Sequence, residues 1–157
     1  MLYLIEGMDK VGKSTAASIL RTRIKGNYVH MTAPAKWHTR ETYFAEMLHT
    51  IALTAQKNVV IDRTWYGEAV WPQVYNRATV LTDDDMETLT EAALALHDGA
   101  VHKLYMFDDD AEAHLKRMSE FKEPAYDVQL ASRLYDDMTR RHGFMPITLP
   151  GAIKLWT

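Results

Sequence analysis

A chain of 157 residues, 47% of them hydrophobic, has the size of one ordinary domain and can bury a full core. Its 18 basic against 21 acidic residues leave a net charge of -3, without the basic excess that attracts duplex nucleic acid, so no long DNA or RNA partner is expected. With no cysteine there is no disulfide framework or thiolate metal site. No apolar run approaches the roughly 18 residues of a membrane span, and the first ten residues carry Glu6, Asp9 and Lys10, unlike a signal peptide. The expectation is a soluble, cytoplasmic protein forming a single domain over residues 1–157.

Strand-like apolar runs occur at Leu2 to Ile5, Tyr28 to Met31, Val59 to Ile61, Leu104 to Phe107 and Met145 to Leu149, with segments of helical period between them. That alternation predicts an α/β fold: a parallel sheet, right-handed crossovers and helices on both faces. The first helix, Ser14 to Lys25, carries Ala16, Leu20 and Ile24 as one apolar stripe. Thr82 reads as the N-cap of a later helix that buries Met86, Leu89, Ala93 and Leu96. Asp83 to Asp85 suit its positive end better than they suit a metal site. A helix from Asp127 turns Leu130, Leu134 and Met138 inward, and Arg140, Arg141 and Gly143 fit its C-terminus.

The first strand runs directly into Gly7-Met8-Asp9-Lys10-Val11-Gly12-Lys13-Ser14, which matches the G-x-x-x-x-G-K-[ST] phosphate-binding loop. An amphipathic helix follows at once, the arrangement in which backbone N–H groups and a helix N-terminus face an anion. Gly7 and Gly12 let the backbone wrap close, Lys13 sets its ammonium between β- and γ-phosphates, and Ser14 offers a hydroxyl to Mg²⁺. Asp62 and Arg63 end the third strand, where a carboxylate can hold Mg²⁺ and an arginine can grip phosphate. Strand ends form the ligand crevice in this fold class.

These residues resemble the thymidylate kinases, within the wider group of nucleoside and nucleoside-monophosphate kinases. "IEGMDKVGKST" is similar to that family's E-G-x-D-x-x-G-K-S-T, "DRTWYGEAVW" to its D-R-x-x-x-S-x-x-x-[YF], and "LYMFDDDAEAHLKRM" to its strand and helix leading into a basic lid. The resemblance spans residues 1 to about 142 and implies a three-layer P-loop fold with a five-stranded parallel sheet in the order 2-3-1-4-5. It also implies that Asp9 bonds the acceptor's 3′-hydroxyl, that Arg63 holds its phosphate and that Trp71 lies against C2′. Lys10 would meet the transferring phosphoryl group, Val11 and Thr15 would join the ATP-binding loop, and a small lid around 116–126 would carry Lys116, Arg117 and Lys122, with Arg117 on the ATP side. A homodimer through helices is implied as well.

Three departures stand out: Gly67 replaces a small hydroxyl, the interval from Thr15 to Asp62 is short, and little room remains for a helix after the last strand. "TAPAKWHTRETYF" resembles the E-P-x-x-x-W element of deoxynucleoside kinases, but with Ala33 in place of the glutamate. A 5′-hydroxyl benefits from a general base, whereas a monophosphate already carries about -1.5 to -2 charge at pH 7 and needs none. The expected activity is therefore transfer of the γ-phosphoryl group of ATP-Mg²⁺ to a deoxynucleoside 5′-monophosphate, thymidylate or a related pyrimidine first. Trp37 would stack the base and Arg40 would reach the acceptor phosphate. The alternatives are a deoxynucleoside kinase using another carboxylate, a P-loop regulatory module and, as a minor option weakened by net charge, a kinase of a modified base in DNA.

Overall fold

The computed structural model describes residues 1–120 and 126–157. Five parallel strands, β1 (Leu2–Glu6), β2 (Asn27–His30), β3 (Val59–Asp62), β4 (Val101–Met106) and β5 (Met145–Ile147), form one sheet in the order β2-β3-β1-β4-β5. β1 lies between β3 and β4, with Leu2 opposite both Val59 and Val101. Leu2, Leu4, Ile5, Val60 and Ile61 are fully buried, as strands covered by helices on both faces require. The helices are α1 (Lys13–Arg23), α2 (Arg40–Leu53), α3 (Trp71–Val74), α4 (Asp83–Leu96), α5 (Ala111–Glu120), α6 (Val128–Arg141) and α7 (Leu149–Trp156). α1 packs with α7, and α2 with α4. Among the described residues no helix is long and apolar enough to cross a membrane.

Several boundaries follow from capping. The Thr39 side chain accepts from Thr42 N and the Thr82 side chain from Asp85 N, each within a reciprocal capping box that fixes the first turn of α2 and α4. Asp127 caps α6 through Leu130 N at 2.8 Å. Arg141 pairs with Asp83 and Asp137, and Arg140 bonds the Asp136 carbonyl, so both arginines serve the end of α6.

The structure corrects the sequence reading at four elements. β4 starts three residues before the expected Leu104, because His102 stacks on Tyr3 and Lys103 reaches the Tyr66 hydroxyl and the His142 carbonyl, so polar residues pair there at no loss. Leu96 is 41% exposed. The buried line of α4 continues from Ala93 to His97 instead, because four residues return closer to one face than three. In α6 the buried residues are Ala131, Tyr135, Met138 and Thr139, while Leu130 and Leu134 are half-buried. Finally, the last strand ends at Ile147, and Thr148 caps an eight-residue helix, its hydroxyl accepting from Gly151 N at 3.2 Å with Pro150 in the first turn. The chain therefore does carry a C-terminal helix.

His97 gives the fold a pH dependence. The Thr54 hydroxyl donates to the Ile51 carbonyl at 2.6 Å, so His97 Nε2–H donates to Thr54 at 2.8 Å inside the core. Burial holds the His97 pKa below its usual value, and His142 shifts the same way. The unfolded chain then binds more protons between the lowered pKa and about 6.5, so stability rises with pH through that window and falls on acidification. The melting temperature is expected to drop between pH 7 and 5, each histidine contributing at most about 1.4 kcal/mol per pH unit. His97→Gln should flatten part of that slope in a pH series of thermal melts.

Candidate functional site

The loop between β1 and α1 is shaped by its glycines. Gly7 has φ of 148°, and a Cβ there would stand 2.2 Å from the Met106 carbonyl oxygen of β4. Gly12, at φ 95°, lies against Leu149 of α7, where a Cβ would meet Cδ2 at 2.9 Å. Neither position admits a side chain, and the close approach keeps the loop tight over the strand ends.

Lys13 opens α1 with its side chain only 6% exposed. Its ammonium bonds the Met8 carbonyl and lies 4.0 Å from Asp9 Oδ1. Burial pulls its pKa below the usual lysine value, against the pull of Asp9 and Asp62. Asp62, at the tip of β3, accepts from the Ser14 hydroxyl at 2.8 Å and the Tyr28 hydroxyl at 2.9 Å, both on Oδ2, with His30 Nδ1 at 3.4 Å. Its other oxygen, Oδ1, is buried and has no hydrogen-bond partner among the described residues.

That unpartnered carboxylate oxygen beside a serine hydroxyl fits a hard divalent cation. Among the described residues no cluster of three or more His, Cys, Asp or Glu side chains could hold a metal by itself, so a cation here would take most of its ligands from phosphate and water. Ser14 and Asp62 are the residues suited to hold it.

Three recesses meet at this loop. The central one is lined by Lys10, Lys13, Ser14, Asp62, Arg63 and Arg117, among others, and is mainly cationic. On the α7 side, Val11, Thr15, Phe107, Asp109, Leu149 and Pro150 wall an open, largely apolar slot. On the other side lies a small cavity bordered by Glu6, Ala33, Arg63, Glu68, Trp71 and Arg77. Arg63 belongs to both the cavity and the central recess. Its guanidinium bonds Asp9 Oδ1 at 2.6 Å.

The cavity contains polar groups to which the sequence motifs gave no role. Glu68 is buried, pairs with Arg77 through both carboxylate oxygens and accepts from Val80 N at 2.9 Å. Glu6 is also buried; it accepts from Thr64 N and Thr64 Oγ1, and from the Tyr135 hydroxyl at 3.3 Å. Burial raises the Glu6 pKa despite these bonds. A charged residue inside the otherwise apolar "WYGEAVW" was the available signal for Glu68; nothing local marked Arg77 as its partner. Gly67 acquires a reason as well, because a Cβ there would come within 3.3 Å of Trp71 Cδ1. Trp71 itself meets Tyr75, Tyr126 and Tyr135.

The loop residues, Asp62, Arg63, Trp71 and Arg117 thus converge on the strand ends, but two expected acceptor residues do not join them. Arg40 grips both oxygens of Asp85 at 2.8 and 2.9 Å, tying α2 to the start of α4. Trp37 is 71% exposed and stacks on His38, and neither residue lines the cavity. Arg117 pairs with Asp108 and donates to the Lys10 carbonyl at 3.3 Å, bordering both the central recess and the slot. Lys116 borders a separate surface hollow with Glu112. Of the lid expected around 116–126, residues 116–120 belong to α5, while Lys122 and the rest of 121–125 lie outside the described residues.

No model of a known protein family matches the chain, and no curated protein matches it. Solved structures do resemble it. The YorR protein from Bacillus subtilis, solved in complex with phosphorylated GDP, is 21% identical with a TM-score of 0.72, over 94% of this chain and 84% of that one. Deoxyadenosine kinase from M. mycoides with bound dATP is 14% identical with a TM-score of 0.56, over 99% of this chain and 96% of that one. Thymidylate kinase from Candida albicans is 16% identical with a TM-score of 0.52, over 99% and 88%. These likenesses show a shared fold, the five-stranded parallel P-loop architecture described above.

Proposed function

We propose that this chain is a P-loop kinase that transfers the γ-phosphoryl group of ATP to a deoxynucleoside 5′-monophosphate, with thymidylate or a related pyrimidine nucleotide first among acceptors. The observation that carries the reading is Arg63, a cation at the border between the Glu68–Trp71 cavity and the cationic recess. A monophosphate in the cavity would bring its charge to that border, where a neutral nucleoside offers the guanidinium no anionic partner. Three of the similar structures are named as nucleoside or nucleotide kinases or hold nucleotides, which supports the reaction class.

In this reading the donor base lies in the slot beside Leu149 and Pro150, its phosphates lie along the loop, and Lys13 and Lys10 face the transferring group. Bound at Ser14 and Asp62, Mg²⁺ would neutralise charge on the donor phosphates. The Glu68–Arg77 pair meets the acceptor base, and Arg117 stands on the donor side of the reacting groups. A cytoplasmic location and a homodimer through helices belong to the same reading. Adding deoxynucleoside monophosphates to enzyme and ATP-Mg²⁺ should accelerate ADP formation well above the basal rate. An unchanged rate with every common monophosphate would favour a regulatory module.

Trp71 supplies a second expected result. Its indole borders the cavity, and the resemblance would set it against C2′ of an acceptor bound there. Trp71→Ala should narrow the preference for deoxy- over ribonucleotides in kcat/KM; an unchanged ratio would make Trp71 packing alone.

One observation favours a rival. Glu6 is a buried carboxylate of raised pKa on the cavity wall, as a general base for a 5′-hydroxyl would be. Three donors already engage it, which suits a residue that holds Thr64 in place better than one that takes up a proton.

A further inference from the structure

The loop that holds the phosphates is gripped from behind by α5. His114, 2% exposed, brings its Nε2 to 2.7 Å from the Asp9 carbonyl oxygen. One turn further, Arg117 Nε donates to the next carbonyl, that of Lys10, at 3.3 Å. A carbonyl only accepts, so His114 Nε2 carries a proton in this contact. The three-residue spacing puts both donors on one face of α5.

We propose that His114 is a positioning residue for phosphate binding, acting through the peptide that joins Asp9 to Lys10. In a planar trans peptide the carbonyl of one residue and the N–H of the next point to opposite sides. Holding the Asp9 carbonyl toward α5 therefore turns the Lys10 N–H away from it, and the Arg117 contact does the same for the Val11 N–H. The loop needs such a hold. Lys10 has φ of 61°, a left-handed conformation that non-glycine residues keep when their surroundings impose it. The buried residues of α5 are His114 and Met118, so the histidine also seats the helix against the loop. Aligned N–H donors aimed at a phosphate bind it without reorganising, and loss of the hold should weaken nucleotide binding more than acceptor binding, which it reaches only through the Asp9 side chain.

The inference rests on reading the loop as a nucleoside triphosphate site, and the experiment separates the two. ATP-Mg²⁺ is titrated calorimetrically into the full chain, its His114→Gln, His114→Asn and His114→Met variants, and steady-state constants are measured for each. Glutamine can place an amide N–H near the position of Nε2; asparagine is too short and methionine cannot donate. The expected result is ATP affinity reduced about three- to tenfold in the Asn and Met variants, with a raised donor KM, a smaller change in acceptor KM and recovery in His114→Gln. Should methionine prevent folding, the Gln and Asn pair carries the comparison. Equal affinities across folded variants, or a Gln variant as weak as Asn, would overturn the positioning role while the loop assignment stands. A wild-type chain that binds no ATP would overturn both.

Discussion

Lys13→Ala is expected to lower kcat by roughly two to three decades, about 3 to 4 kcal/mol of transition-state stabilisation, and to leave the fold intact. The ammonium is held in place by the Met8 carbonyl and by the charge of Asp9, and it is desolvated enough that its pKa falls. A charge kept in low dielectric acts strongly on a phosphoryl group and needs no rearrangement when the group arrives. Its removal takes away a buried ammonium and its stem but none of the residues that form the hydrophobic core. The check is kcat alongside a thermal melt. Near-normal turnover in a folded variant would remove the phosphate-loop assignment.

Arg63→Ala should raise KM for the monophosphate and lower kcat while ATP binding survives. Arg63 leaves β3 at φ 62°, its N–H on the Ile5 carbonyl at 3.0 Å, and its guanidinium bonds Asp9 at 2.6 Å. The arriving acceptor phosphate would compete with Asp9 for that guanidinium, releasing the carboxylate toward a sugar hydroxyl. Loss of one charge-assisted contact of this kind costs about 1.5 to 3 kcal/mol, roughly ten- to hundredfold in kcat/KM for the acceptor. Calorimetry with ATP alone, beside kinetics in varied monophosphate, separates the two sites. Weakened ATP binding with an unchanged acceptor KM would put Arg63 on the donor side.

The sheet and the loop were legible because their signals are local. A strand buried on both faces is an apolar run, and the loop is fixed by spacing within eight residues. Asp62 and Arg63 were legible for the same reason, since the end of a run marks the end of a strand. Partners set by tertiary contact were not. Arg40 seemed available for a phosphate because Asp85, which occupies it, is 45 residues away. Glu68 and Arg77 face each other only after the chain has passed through the short 3₁₀ turn at Trp65–Ala69 and then α3. The helix α7 was hidden because Leu149 prolongs the apolar run of β5, although Thr148 followed by Leu149-Pro150 is a start signal. His114 carried no sequence mark, because its role depends on the docking of α5 against the loop.

The account rests most directly on the identity of the acceptor. Thymidine and thymidine monophosphate are offered separately to the enzyme with ATP-Mg²⁺, and the phosphorylated products are identified. Conversion of the monophosphate to the diphosphate is expected, with the nucleoside inert. Efficient phosphorylation of the nucleoside, with the monophosphate inert, would contradict it and assign the cavity to a deoxynucleoside kinase.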